Sequence, residues 1–180
     1  MTTSLRRFQL RERTAAAHAM VDAAIGDFTS LDNYRRYLTS LYRFRAPLEA
    51  DLSADWSAAL GRWRPAAVAD ELRLDMIDLG VEPPTLERRG TPIGACDLLG
   101  TLYVLEGSSL GAQLLYKRAR ELGLSANHGA RHLARQCARL KDWRAFLDIL
   151  EADGQFDIEA ATLASLSTFA AAASAFGARA

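Results

Sequence analysis

The sequence predicts an all-α, single-domain multi-helical bundle, and three observations carry that prediction. The 180 residues contain 33 Ala and 27 Leu against 4 Val and 5 Ile, a composition that favours helix and starves any sheet of β-branched residues. Apolar residues recur at three-and-four spacing through most of the chain. Only VEPPTLERRGTP reads as an extended loop, and about a dozen residues is an ordinary connection, so residues 1–180 form one domain.

The elements follow in order. A first helix is expected from about Ser4 to Ile25, with Phe8, Ala15, Ala19 and Val21 on its apolar side and Gly26 as its stop. A second starts after Ser30, a good N-cap, and carries Leu31, Tyr34, Leu38, Leu41, Tyr42 and Leu48; Pro47 is expected to kink or end it. Pro65 suits the first turn of a third helix that closes at Leu79-Gly80. A long fourth helix covers roughly Gly94 to Leu122 and stops at Gly123. Shorter pieces are expected at about Gly129 to Cys137 and Asp142 to Glu151, then an Ala-rich helix from Asp157 to Phe176.

Composition excludes several classes of function. With 22 Lys+Arg against 22 Asp+Glu there is no cationic field, and no basic run is interleaved with aromatics, so nucleic acid is not an expected partner. The opening MTTSLRRFQLRERT places arginines where a signal peptide needs its apolar core, and no apolar run is expected to approach the roughly 18 residues of a membrane span, so a cytoplasmic protein without membrane contact is expected. Cys96 and Cys137 lack any second ligand at metal-site spacing and read as reduced, mostly buried thiols. Dinucleotide, nucleotide-triphosphate and serine-hydrolase signatures are absent, as is the Glu-x-x-His of a di-iron bundle.

Two helices carry residues that need a reason. Gly100, Gly107 and Gly111 fall on one face of the fourth helix, where each glycine costs up to about 1 kcal/mol relative to Ala. Such a bare face serves either a tight helix crossing or a planar ligand lying against backbone. Ser108 and Ser109 flank it and can bond to a ligand, to water or back to their own helix. In the first helix, His18 is followed one turn later by Asp22, a carboxylate placed to accept the Nδ1 proton and leave Nε2 for a metal; a solvated structural histidine is the alternative. His128 and His132 have no acidic residue to complete a metal shell and read as surface residues.

Taken together, LRERTAAAHAMVD and YVLEGSSLGAQLLYKRARELGL resemble the proximal and distal helices of haem oxygenases, most closely the bacterial branch that includes enzymes accompanying bacteriophytochromes. LSANHGARHLA continues in the same style. The resemblance implies an all-helical haem sandwich in which His18 binds iron, Asp22 holds its ring, and Gly107 and Gly111 form the distal wall. It further implies that Arg11, with Lys117 or Arg118, meets the haem propionates. Haem is then both substrate and cofactor, cleaved with O2 and external electrons to biliverdin, CO and Fe2+. No flavin or nicotinamide motif is present, so a ferredoxin or reductase is the implied electron donor, and a bacteriophytochrome is an implied acceptor of biliverdin. The chain departs from the family where Ser108 stands in place of the Asp that commonly follows the first distal glycine, and where Ala112 replaces a second adjacent glycine. A serine can orient water but brings no negative charge. Two other readings stay open: a non-catalytic haem binder with the same pocket, and a thiaminase-like hydrolase using Cys137.

Overall fold

The computed structural model describes residues 5–52, 60–86, 93–152, 154 and 156–178. The far end of the expected loop, residues 87–92, and the Cys96 side chain lie outside the described residues. Within them the chain forms α1 (Leu5–Ile25), α2 (Leu31–Leu52), α3 (Ala69–Asp78), α4 (Ala95–Glu121), α5 (Arg131–Ala138), α6 (Leu140–Ala152) and α7 (Ile158–Ala175). No strand occurs among the described residues; the only ladder contacts are isolated bridges from Ser125 to His128 and Gly129.

Local signals set most boundaries. Ser30 Oγ accepts the Asn33 N–H at the start of α2, and Asp157 accepts from Glu159 and Ala160 at the start of α7. Gly26 and Gly123 follow α1 and α4 with φ of 64° and 83°, the left-handed conformation that ends a helix with little strain only at glycine.

Of the two outcomes expected at Pro47, an end does not occur: the second helix continues to Leu52. The third helix begins at Ala69 rather than at Pro65, for a tertiary reason. Glu49 accepts from the backbone N–H groups of Val68 (2.9 Å) and Ala69 (2.9 Å) and so caps α3 from α2. Leu48 and Leu52 are buried, which keeps the turn beyond the proline packed. Arg45 is buried beside this cap, donating to Glu49 (2.6 Å) and to the Ala66 carbonyl (2.6 Å). Glu106 of α4 accepts the Ala66 N–H at 2.7 Å from the other side.

The core has two parts. Tyr34, Tyr37, Leu38, Leu72, Met76 and Leu133 join α2, α3 and α5; Leu10, Leu102, Leu105, Phe146 and Leu150 join α1, α4 and α6. The last helix holds the two together, packing most extensively on α4 and α1 and also on α2. Although it is apolar and long enough to cross a membrane by length and composition, with a mean hydropathy of 1.2, it serves here as a core helix.

The first helix turns a different side inward from the one its apolar pattern suggests. Its buried residues are Leu10 and Thr14, whereas Phe8, Ala15 and Ala19 are exposed. At 100° per residue those three fall in the same sector as Arg11, His18 and Asp22. An apolar face that the bundle itself does not cover thus runs beside His18.

Candidate functional site

His18 stands on this uncovered face. Its ring is 61% exposed, and Nδ1 lies 3.0 Å from Asp22 Oδ2, the i,i+4 spacing at work. With the Nδ1 proton directed at the carboxylate, Nε2 is the nitrogen left to ligate. The edge of the ring rests on Phe169 of α7, with ring centroids 5.6 Å apart, which limits how the imidazole can turn.

The three glycines of α4 do different work. A Cβ at Gly100 would sit 2.2 Å from the Ala161 carbonyl oxygen, so here the bare backbone serves the crossing with α7, sealed by Ser165 Oγ donating to the Gly100 carbonyl at 2.9 Å. At Gly107 a Cβ would make only ordinary contact with Trp143, at 3.7 Å, and at Gly111 it would meet nothing within 4 Å. Leu110 and Leu114 alongside are 49% and 55% exposed. The Gly107–Gly111 stretch is therefore a second uncovered apolar face. Ala112 is buried in the core, so its methyl points away from that face.

Residues that the sequence did not single out join the two helices. Arg7 of α1 lies over the Trp143 ring, 5.9 Å from its centroid, and Trp143 also packs near Gly107 and 5.9 Å from Tyr103. Burial pushes the Tyr103 hydroxyl above its ordinary range, while the charges of Arg7 and Arg11 pull the other way. A signal for Tyr103 exists in retrospect: it lies one turn before Gly107 on the glycine face. Trp143 comes from a separate helix and had none. Beyond this end, Lys117 is exposed with no ion pair to the described residues, whereas Arg118 is held by Asp27 at 2.8 Å.

Ser108 is exposed, yet its hydroxyl is engaged, donating to the Leu105 carbonyl at 2.6 Å and accepting from Gln136 Nε2 at 3.1 Å. Ser109 is buried and bonds back to Glu106. His128 is exposed as expected, but His132 is not a surface residue. It is fully buried, with Nδ1 2.8 Å from Asp75 and Nε2 3.3 Å from the Tyr37 hydroxyl. An alternating sequence could not reveal this, because the carboxylate that satisfies the ring lies 57 residues earlier. Burial pushes the Cys137 thiol up, the wrong direction for a nucleophile, so the hydrolase reading has no support in the structure.

Among the described residues no three His, Cys, Asp or Glu side chains converge as a protein-only metal site. The exposed His18 beside uncovered apolar faces instead suits a metal that brings most of its own coordination in a flat apolar ligand. A cavity of about 260 Å³ lined by Gly26, Asn33, Arg36, Tyr37 and Phe176 lies at the corner of α1 and α2, and none of the expected site residues lines it.

An all-helical bundle with a carboxylate-backed histidine on one helix and an open glycine face on another is the arrangement expected of a haem-handling protein of the oxygenase class. No protein-family model matches the chain. It is 34% identical over 158 residues to heme oxygenase PigA of Pseudomonas aeruginosa, covering 82% of this chain and 78% of that protein. Its structure matches that of the NO- and CO-bound heme oxygenase from Neisseria meningitidis with a TM-score of 0.81 at 30% identity, over 97% of this chain and 94% of the other. The chain belongs to the heme oxygenase family.

Proposed function

We propose that the chain binds haem between α1 and α4 and cleaves it to biliverdin, CO and Fe2+, consuming O2 and electrons from an external ferredoxin or reductase. Two uncovered faces support this reading, one bearing His18 with Nε2 left to ligate and the other bearing Gly111 with open space where a side chain would stand. Burying a porphyrin between them satisfies both faces at roughly 25 cal/mol per Å² of apolar surface removed from water. In this reading His18 binds the iron and Asp22 holds the imidazole tautomer. Gly107 and Gly111 admit the macrocycle against backbone, and Trp143 closes one side.

The propionates, being anions, need charged partners as they leave water. Arg11 serves this role. Lys117 is better placed to add a charge than Arg118, whose guanidinium already pairs with Asp27. Ser108 holds water at the distal face and positions its protons. The resemblance to enzymes that accompany bacteriophytochromes supports cytoplasmic action and delivery of biliverdin to such a photoreceptor.

Hemin titration followed by single turnover tests the proposal. The protein should bind hemin one to one with a histidine-ligated ferric spectrum, and reductant with O2 should convert the Soret band to the broad absorption of biliverdin. His18→Ala should lose the ligated spectrum and regain it with added imidazole. An unchanged spectrum in His18→Ala would move the ligand elsewhere. Stoichiometric binding that ends in unspecific bleaching would make the chain a non-catalytic haem binder.

A further inference from the structure

Ser108 has one hydroxyl hydrogen and two lone pairs. Its hydrogen is committed to the Leu105 carbonyl, 2.6 Å away on the same helix. One lone pair is committed too, because Gln136 reaches across from α5 to the same oxygen at 3.1 Å. The sense of that second bond follows from the first. An oxygen whose own hydrogen points at Leu105 can only accept, so Gln136 must present its NH2 group.

Gln136 is itself held. It is 6% exposed, and the helix that carries it is pinned at its start by Asp75, which accepts the backbone N–H groups of Arg131 (3.0 Å) and His132 (3.1 Å) and bonds His132 Nδ1. Arg131 adds ion pairs to Asp75 and Asp78. The amide is thus delivered to Ser108 by a buried framework.

The geometry points to Gln136 as a positioning residue that makes Ser108 an acceptor-only hydroxyl toward the substrate face of α4. A water bound at the remaining lone pair must donate one hydrogen to Ser108, which turns its other hydrogen and its oxygen outward. A carboxylate in place of Ser108 would impose the same orientation, since it too can only accept. The Gln136–Ser108 pair reproduces that orientation without the negative charge. This rests on the proposed binding of haem against α4.

A double-mutant cycle between Gln136→Met and Ser108→Ala tests it, read on the haem complex by the C–O stretching band of the ferrous CO form and by single-turnover rate. Gln136→Met keeps the bulk and removes the donor. It should broaden or split the C–O band and slow turnover about three- to tenfold, the range expected from losing one hydrogen bond to a network. In the Ser108→Ala background the same change should move neither readout by more than about 1.5-fold, because the residue it acts through is gone. Should Gln136→Met fail to fold, Gln136→Ala takes its place in the cycle. An equal effect in both backgrounds, or an unmoved C–O band with hemin binding intact, overturns the inference. Failure of the wild-type protein to bind hemin overturns the underlying reading with it, and the titration tells the two failures apart.

Discussion

Ser108 stands where the resembling enzymes commonly carry an acid, and its hydroxyl retains one lone pair for water. Ser108→Ala is therefore expected to leave biliverdin formation intact at a rate lowered about tenfold, or about 1.4 kcal/mol, the order of one hydrogen bond to a network. Ser108→Asp should also remain active. Biliverdin from Ser108→Asp alone, with only bleaching from wild type, would show that the native chain is not a catalyst. A second residue-scale prediction concerns His132. Burial pushes its pKa below the usual 6.5, with the Asp75 bond and charge pulling less strongly the other way. Asp75 lies below its usual 3.8: burial opposes ionisation, but the His132 side chain and the backbone N–H groups of Arg131 and His132 outweigh it. Both shifts act alike on stability, since the unfolded chain takes up protons before the folded one does. Stability from this pair is complete above about pH 6.5 and is lost as pH falls, first through the histidine range and then through the carboxylate range. Denaturant titrations between about pH 7.5 and 5.5 should show His132→Gln losing less stability across that window than wild type does. Equal losses would mean that His132 does not titrate with unfolding.

At the scale of the element, the glycine row of α4 divides between packing and the candidate site. Gly100→Ala drives a methyl into the Ala161 carbonyl and should cost the ligand-free protein about 1 to 3 kcal/mol. Gly111→Leu meets open space, so the ligand-free protein should be unchanged or stabilised by up to about 1 kcal/mol while hemin binding is abolished. Melting that falls in step with binding in Gly111→Leu would return that glycine to a packing role. The sequence placed all three glycines on one face correctly, and periodicity alone could not separate them. What separates them is the neighbour each meets: α7 at Gly100, Trp143 at Gly107 and nothing at Gly111.

For the whole molecule, the two uncovered faces leave α1 the less anchored side of the site. Only Leu10 and Thr14 are buried along its 21 residues, and its main support is α7. Few buried contacts mean a low free energy of local opening. Amide exchange in α1 should accordingly be faster than in α4 without hemin. Bound hemin should protect α1 selectively, with global stability rising by mass action. Uniform protection of all helices would argue that hemin does not bridge these two faces.

The helices, their order and most of their ends were decided by the sequence itself, because caps such as Ser30 and Asp157 and stops such as Gly26 and Gly123 act within one turn of where they stand. The His18–Asp22 pair was legible for the same reason, being an i,i+4 contact on one helix. Only the tertiary structure decided that Glu49 starts α3, that Asp75 buries His132, that Trp143 comes to lie beside Gly107 and under Arg7, and which side of α1 remains uncovered. Each of these depends on which elements meet. A hydrogen bond across 57 residues, or a face left bare because no other helix covers it, has no periodic or local signature for a sequence to display.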